Sequence, residues 1–144
     1  MATTLDRTIT VPGDPEAIFD YVADFSTTQE WDPGIESARK TSEGPVGLGS
    51  EFELTAVFMG RKLRTAYRIV DFDRPERVVV KGGTNQFTST DTITVTPVDG
   101  GVQVGYRAVF ELSGLLRLAE PFLRGTFQKL GDKAVGGLQA KLGR

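Results

Sequence analysis

The chain has no cysteine and no histidine among its 144 residues. The first absence excludes disulfides, thiolate metal sites and thiol nucleophiles. The second removes the commonest general base and the commonest transition-metal ligand. A Ser-His-Asp or Cys-His triad is impossible within this chain, and zinc, copper or haem would have to rely on carboxylates, Tyr or Met, so no metal and no cofactor is expected. A surplus of positive charge is missing too. Lys and Arg number 17 against 19 for Asp and Glu, a net charge of −2 that lacks the cations phosphate backbones require, so no nucleic-acid partner is expected. Long apolar runs are also absent. The longest, Ala56-Val57-Phe58-Met59, is far short of the roughly 18 to 20 residues that cross a bilayer, and Leu5-Asp6-Arg7 meets charge before any signal-like stretch forms. No membrane span is expected, and a cytoplasmic location follows on this reading.

What is present is ordinary for a folded domain: 39% apolar and 25% charged residues. A chain of this size buries roughly 68 to 70% of its unfolded surface, which predicts one domain over residues 1–144. Leu5, Arg7, Ile9 and Val11 share one parity in a β-branched stretch, a first strand. Asp14 then stands as N-cap and Pro15 at the first helical position of a short helix carrying Ile18, Phe19, Val22 and Phe25 on one stripe. A second helical turn is predicted over Ser26 to Glu30, broken by Trp31-Asp32-Pro33-Gly34.

Strands follow. Ile35 to Ser42 is a polar edge candidate, and the glycines of Glu43 to Gly49 suggest a gate. Glu51 to Met59 and Lys62 to Phe72 form a hairpin about Gly60-Arg61; Arg77 to Lys81, Gln86 to Thr96 and Val102 to Leu112 complete a mainly antiparallel meander. Leu115, Ala119, Phe122, Leu123, Phe127, Leu130, Ala134 and Leu138 predict a long amphipathic C-terminal helix across its apolar face, with Pro121 starting or kinking it. Glycines at 125, 131, 136 and 137, each costing about 0.5 to 1 kcal/mol against alanine, suggest a loose lid.

The order strand, two short helices, six strands, long C-terminal helix resembles the START-related helix-grip (SRPBCC) superfamily, specifically polyketide cyclase/dehydrase-like proteins. The residues that carry the resemblance are Val11-Pro12 followed by Pro15 to Asp24, Glu30-Trp31-Asp32-Pro33-Gly34, Gly47-Leu48-Gly49-Ser50, Val70 to Arg77, and Thr96 to Val102. It implies an α+β helix-grip fold: a curved, mainly antiparallel seven-stranded sheet wrapped around the C-terminal helix, two short helices after strand 1, and a cavity between sheet and helix. It also implies a hydrophobic small-molecule ligand, a lipid, isoprenoid or polyketide, taken up by a monomer or homodimer acting as carrier or sensor. Some relatives are aromatases, cyclases or dehydratases, so an enzyme acting on a bound aromatic or polyketide substrate is the alternative, and catalysis stays open.

Parity places Phe52, Leu54, Phe58, Leu63 and Tyr67 on the concave face, joined by Phe87, Ile93, Tyr106 and Phe110 from later strands. Phe122, Phe127 and Leu130 would face them from the helix. These side chains either fill a core or, as the resemblance implies, line a pocket of roughly 300 to 1,000 Å³. Trp31 would gate that pocket or staple the second helical turn onto the sheet. Tyr67 and Tyr106 could orient a ligand carbonyl or act as weak acids, or simply bond nearby backbone. Asp91 shares parity with Phe87 and Ile93, beside Ser89. It is either a desolvated carboxyl able to act as a base, a bulged residue returned to solvent, or the partner of an arginine. Arg39 and Arg64 could meet an acidic head group or stand exposed.

Overall fold

The computed structural model describes the backbone of residues 2–58 and 60–143 and the side chains of 3–57 and 60–143. Strand β1 (Ala2–Val11) leads into helix α1 (Pro15–Ala23), a 3-10 turn (Phe25–Thr27) and helix α2 (Thr28–Trp31). Local chemistry sets these boundaries. The Asp14 carboxylate accepts from the Ala17 amide at 3.1 Å, a helix N-cap with Pro15 behind it, and Asp24 accepts from the amide of Ser26 at 3.0 Å. At the end of α2 the Asp32 carboxylate accepts from the Gly34 amide at 2.8 Å, an Asx turn that reverses the chain into β2 (Ile35–Lys40).

Strands β3 (Glu51–Phe58), β4 (Arg61–Asp73), β5 (Arg77–Gly83), β6 (Phe87–Val98) and β7 (Gly101–Leu112) follow as antiparallel neighbours. The sheet order is β1-β7-β6-β5-β4-β3-β2, so the first strand pairs with the last and β2 lies on the edge, as its polar sequence predicts. Irregular register between Ile35 and Ser37 and between Ile69 and Asp71 marks bulges, which bend strands and help the sheet curl. Strand β6 shows the two faces plainly: Ser89, Asp91, Ile93 and Val95 are buried inside, while threonines 88, 90, 92, 94 and 96 occupy the opposite parity.

A 3-10 segment (Gly114–Ala119) precedes helix α3 (Glu120–Leu142), with Pro121 in its first turn. The stripe that faces the sheet starts at Leu123, later than the sequence suggests. Leu115 is exposed on the 3-10 segment, and Phe122 is 85% exposed because it lies roughly 100° around the helix from Leu123. Two of the four glycines in α3 mark close approaches. A Cβ on Gly131 would overlap the Leu5 side chain, and one on Gly137 would overlap the Trp31 carbonyl oxygen. The helix therefore lies directly on β1 and on the end of α2, while Gly125 and Gly136 face open space. Arg7 of β1 fastens the same stretch, donating to Asp132 at 2.6 Å and to Gln128 at 2.8 Å.

Candidate functional site

A cavity of about 790 Å³ lies between the concave face of the sheet and α3. Leu54 and Ala56 of β3, Leu63 of β4, Phe87 of β6 and Phe110 of β7 form much of its apolar wall, with Leu123, Phe127, Leu130 and Ala134 of α3 opposite. Phe110 and Phe127 stack across it with ring centroids 4.9 Å apart. Arg61, Thr84, Asn85 and Gln86 are exposed lining residues at strand ends and mark the rim, near Leu116 and Leu123. Leu115, Leu118 and Phe122 are exposed on the same segment.

The inner end is polar. Asp91 is only 6% exposed; Ser89 Oγ donates to one of its carboxylate oxygens at 2.7 Å and Tyr106 Oη donates to the other at 2.6 Å. It is not bulged out to solvent, and among the described residues no arginine pairs with it. Tyr67 stands beside this group because Gly82, its partner on β5, has no side chain. A Cβ there would overlap the Tyr67 ring, which leans across β5 toward Ser89 of β6. Asp32 completes the cluster from above, at the end of α2.

Burial governs the protonation of this group. Desolvation raises the pKa of Asp91, opposed by the hydrogen bonds from Tyr106 and Ser89. Desolvation likewise pushes Asp32 up to about 6, opposed by the Gly34 amide and reinforced by the nearby charge of Asp91. Both phenols are held above their ordinary value, first by burial and then by Asp91. Buried tyrosines here are hydrogen-bonding groups, not ready acids.

Of the predicted ligand-facing residues, Leu54, Leu63, Tyr67, Phe87, Ser89, Asp91, Tyr106, Phe110, Phe127 and Leu130 line the cavity. Trp31 does not: it is buried behind the wall, edge-on to Tyr106 at 6.3 Å, stapling α2 to the sheet and backing the phenol that holds Asp91. Phe52 faces inward, but Phe25 packs over it at 6.2 Å and takes the place on the cavity wall. Phe122 points to solvent, for the helical reason given above. Phe58, assigned to the concave face, has a side chain outside the described residues.

The glycine-rich stretch before β3 is no gate. The Gly49 amide donates to the Ile69 carbonyl at 2.9 Å and Ser50 Oγ accepts from the Gly47 amide at 2.9 Å, folding the loop onto β4 away from the lining residues. Arg39 and Arg64 sit on the outer face near Glu53, at 3.3 and 3.9 Å, and touch no part of the cavity. Sequence reasoning missed Asp32, read as a helix breaker, together with Phe25, Thr28 and Thr65 of the wall. For Asp32 the available signal was an acidic side chain flanked by buried Trp31 in a segment that must cover the sheet.

Among the described residues, no group of three acidic side chains converges as a metal site, and no helix is long and apolar enough to cross a membrane.

A curled seven-stranded antiparallel sheet gripping a C-terminal helix, with two short helices after the first strand, is the helix-grip architecture of START-related proteins. The chain belongs to the family described as polyketide cyclase / dehydrase and lipid transport, whose model matches residues 2–143. An uncharacterized protein of Mycobacterium tuberculosis is 31% identical over 128 residues, covering 86% of this chain and 80% of its own length. Among solved structures, the Zhui aromatase/cyclase of Streptomyces sp. R1128 superposes with a TM-score of 0.81 at 12% identity, over 99% of this chain and 94% of that one. A START superfamily protein from Mycobacterium smegmatis gives 0.80 at 13% identity, over 97% of each chain. At these identities the likeness is one of fold.

Proposed function

We propose that this protein binds a hydrophobic small molecule, a lipid, isoprenoid or polyketide, between its sheet and α3, and serves as a cytoplasmic carrier or sensor of it. The observation that carries this reading is the cavity's division of labour: a volume of about 790 Å³ with a long apolar wall and polar groups gathered at the inner end. Ligand pockets of roughly 300 to 1,000 Å³ combine apolar walls with a few orienting polar groups in this way. The aromatase/cyclase and START relatives support it by fold alone. Native mass spectrometry of freshly purified protein, with the organic extract of the denatured sample analysed alongside, tests it. A co-purified apolar molecule is expected; a protein that arrives empty and takes up no lipid or aromatic compound on titration would overturn the reading.

A second reading is a cyclase or dehydratase. It is favoured by one observation, the buried Asp91 carboxyl held by Ser89 and Tyr106 inside the cavity, where a raised pKa suits proton transfer to or from a confined substrate. Loss of turnover with retained binding in Asp91→Asn would support it. Unchanged turnover in that variant would remove Asp91 from any such role.

A further inference from the structure

The chemistry of the inner end restricts which molecules can be held there. Asp32 follows α2 and Asp91 lies on β6; both line the cavity, the charge of Asp91 reaches Asp32, and the charges of both reach Tyr67 and Tyr106. Neither carboxyl has an ion pair among the described residues. Asp91 has one donor on each oxygen, from Ser89 and Tyr106. Asp32 has one donor on one oxygen, from Gly34.

A third group points the same way. Thr65 of β4 is 3% exposed and lines the cavity two residues before Tyr67 on the same face, yet its hydroxyl makes no hydrogen bond among the described residues. That hydroxyl is not sealed from the cavity, so a polar ligand atom can reach it and supply the missing partner.

Positive charge is absent where these groups meet. The only cation among the described lining residues is Arg61, an exposed residue at the start of β4. It stands six positions before Tyr67, roughly 20 Å along an extended strand. An anionic head pushed to the inner end would meet two carboxyls and no counter-charge, whereas a protonated nitrogen would supply the charge they lack and donors for their free lone pairs.

We propose that the inner end of the cavity receives the head of a cationic amphiphile, a primary amine or comparable protonated nitrogen base, between Asp32 and Asp91 with Tyr67 and Thr65 alongside, and that it rejects carboxylate-headed lipids. The amine lies inward and its apolar body runs between β3 and α3 toward the rim. This rests on the ligand-binding reading above and adds the polarity and direction of the ligand.

The experiment separates the two. Nile red, neutral and apolar, first reports whether the cavity takes up a small molecule at all. Decylamine, 1-decanol and decanoate, matched in chain length and kept below their micellar concentrations, then compete for it at pH 7.5. Decylamine is expected to displace the dye at a concentration at least tenfold lower than decanoate, with decanol between them. The Asp32→Asn variant, which keeps the acceptor for Gly34, should narrow that ratio, and Asp32→Asn/Asp91→Asn should bring it below threefold. Asp73→Asn/Asp99→Asn removes the same charge from exposed positions and should leave the ratio unchanged. Decanoate competing as well as decylamine, or a preference that survives in Asp32→Asn and in the double variant, would overturn the head-group assignment while leaving the cavity in use. Failure of the dye and all three competitors to bind would overturn the ligand-binding reading itself.

Discussion

Replacing Asp32 by Asn should stabilise the protein at neutral pH, although Asp32 makes a good local hydrogen bond. In the unfolded chain its carboxyl titrates at 3.8; in the folded protein burial moves it to about 6. Between those values the folded state holds a proton that the unfolded state has released. Stability therefore falls as pH rises through this window, and above about 6 the full penalty is present. Two tenfold steps at about 1.4 kcal/mol each make that penalty about 3 kcal/mol. Asparagine keeps the oxygen that accepts from the Gly34 amide and carries no charge, so it should recover about 2 to 3 kcal/mol at pH 7.5 and almost nothing at pH 3.5. Urea unfolding of both proteins at the two pH values measures this directly. A variant no more stable than the parent at pH 7.5, or a gain of equal size at both pH values, would refute the claim that Asp32 is a desolvated carboxylate. A group that costs stability at working pH is what a binding site retains and a purely structural turn has no reason to keep.

Gly136 and Gly137 are adjacent in α3 but should respond oppositely to alanine. Gly136→Ala, facing open space, should gain about 0.5 to 1 kcal/mol of helix propensity, while Gly137→Ala would drive a methyl into the Trp31 carbonyl and should lose about 1 to 3 kcal/mol, both read from thermal unfolding. Tyr106→Phe removes the donor to a buried carboxyl oxygen of Asp91 and should cost about 1 to 3 kcal/mol by urea denaturation. Leu138→Ala, at a fully buried position on the sheet side of α3, should cost about 2 to 5 kcal/mol in the same assay.

Period-2 alternation made the strands readable, because one face of this sheet is covered and the other is threonine and charge. The cap and breaker residues at Asp14, Pro15 and Pro33 set the short helices to within a residue or two. Parity placed Asp91 with Phe87 and Ile93 beside Ser89 but left open a bulge to solvent or an arginine partner; the structure has it lining the cavity, bonded to Ser89 and Tyr106. What parity cannot give is which inward residue touches the cavity and which lies beneath another side chain. Phe52 and Trp31 both point inward, but Phe25 covers one and Tyr106 the other.

The helix was harder to read than the strands. Leu115, Phe122 and Leu123 are all apolar, and only the 3-10 segment and the exact start of α3 decide that Leu123 faces the sheet while the other two face water. The glycines of α3 illustrate a further limit. Composition reads them as weakness, but two of the four are the places where the helix approaches Leu5 and the Trp31 backbone too closely for any side chain. Asp32 escaped notice because its place before Pro33, in a segment that breaks the second helical turn, explained it in sequence. Its second role depends on α2 lying across the inner end of the sheet, next to Asp91, which no spacing along the chain reveals.

The measurement closest to the central claim is a set of intermolecular NOEs between 1-decanol and the protein's methyl groups. Binding between sheet and helix predicts contacts to Leu54, Leu63, Leu130 and Ala134, and none to Val70 and Val98, which are exposed elsewhere on the sheet. Contacts confined to Val70, Val98 or the exposed Leu115 and Leu118, with the interior methyls silent, would contradict it.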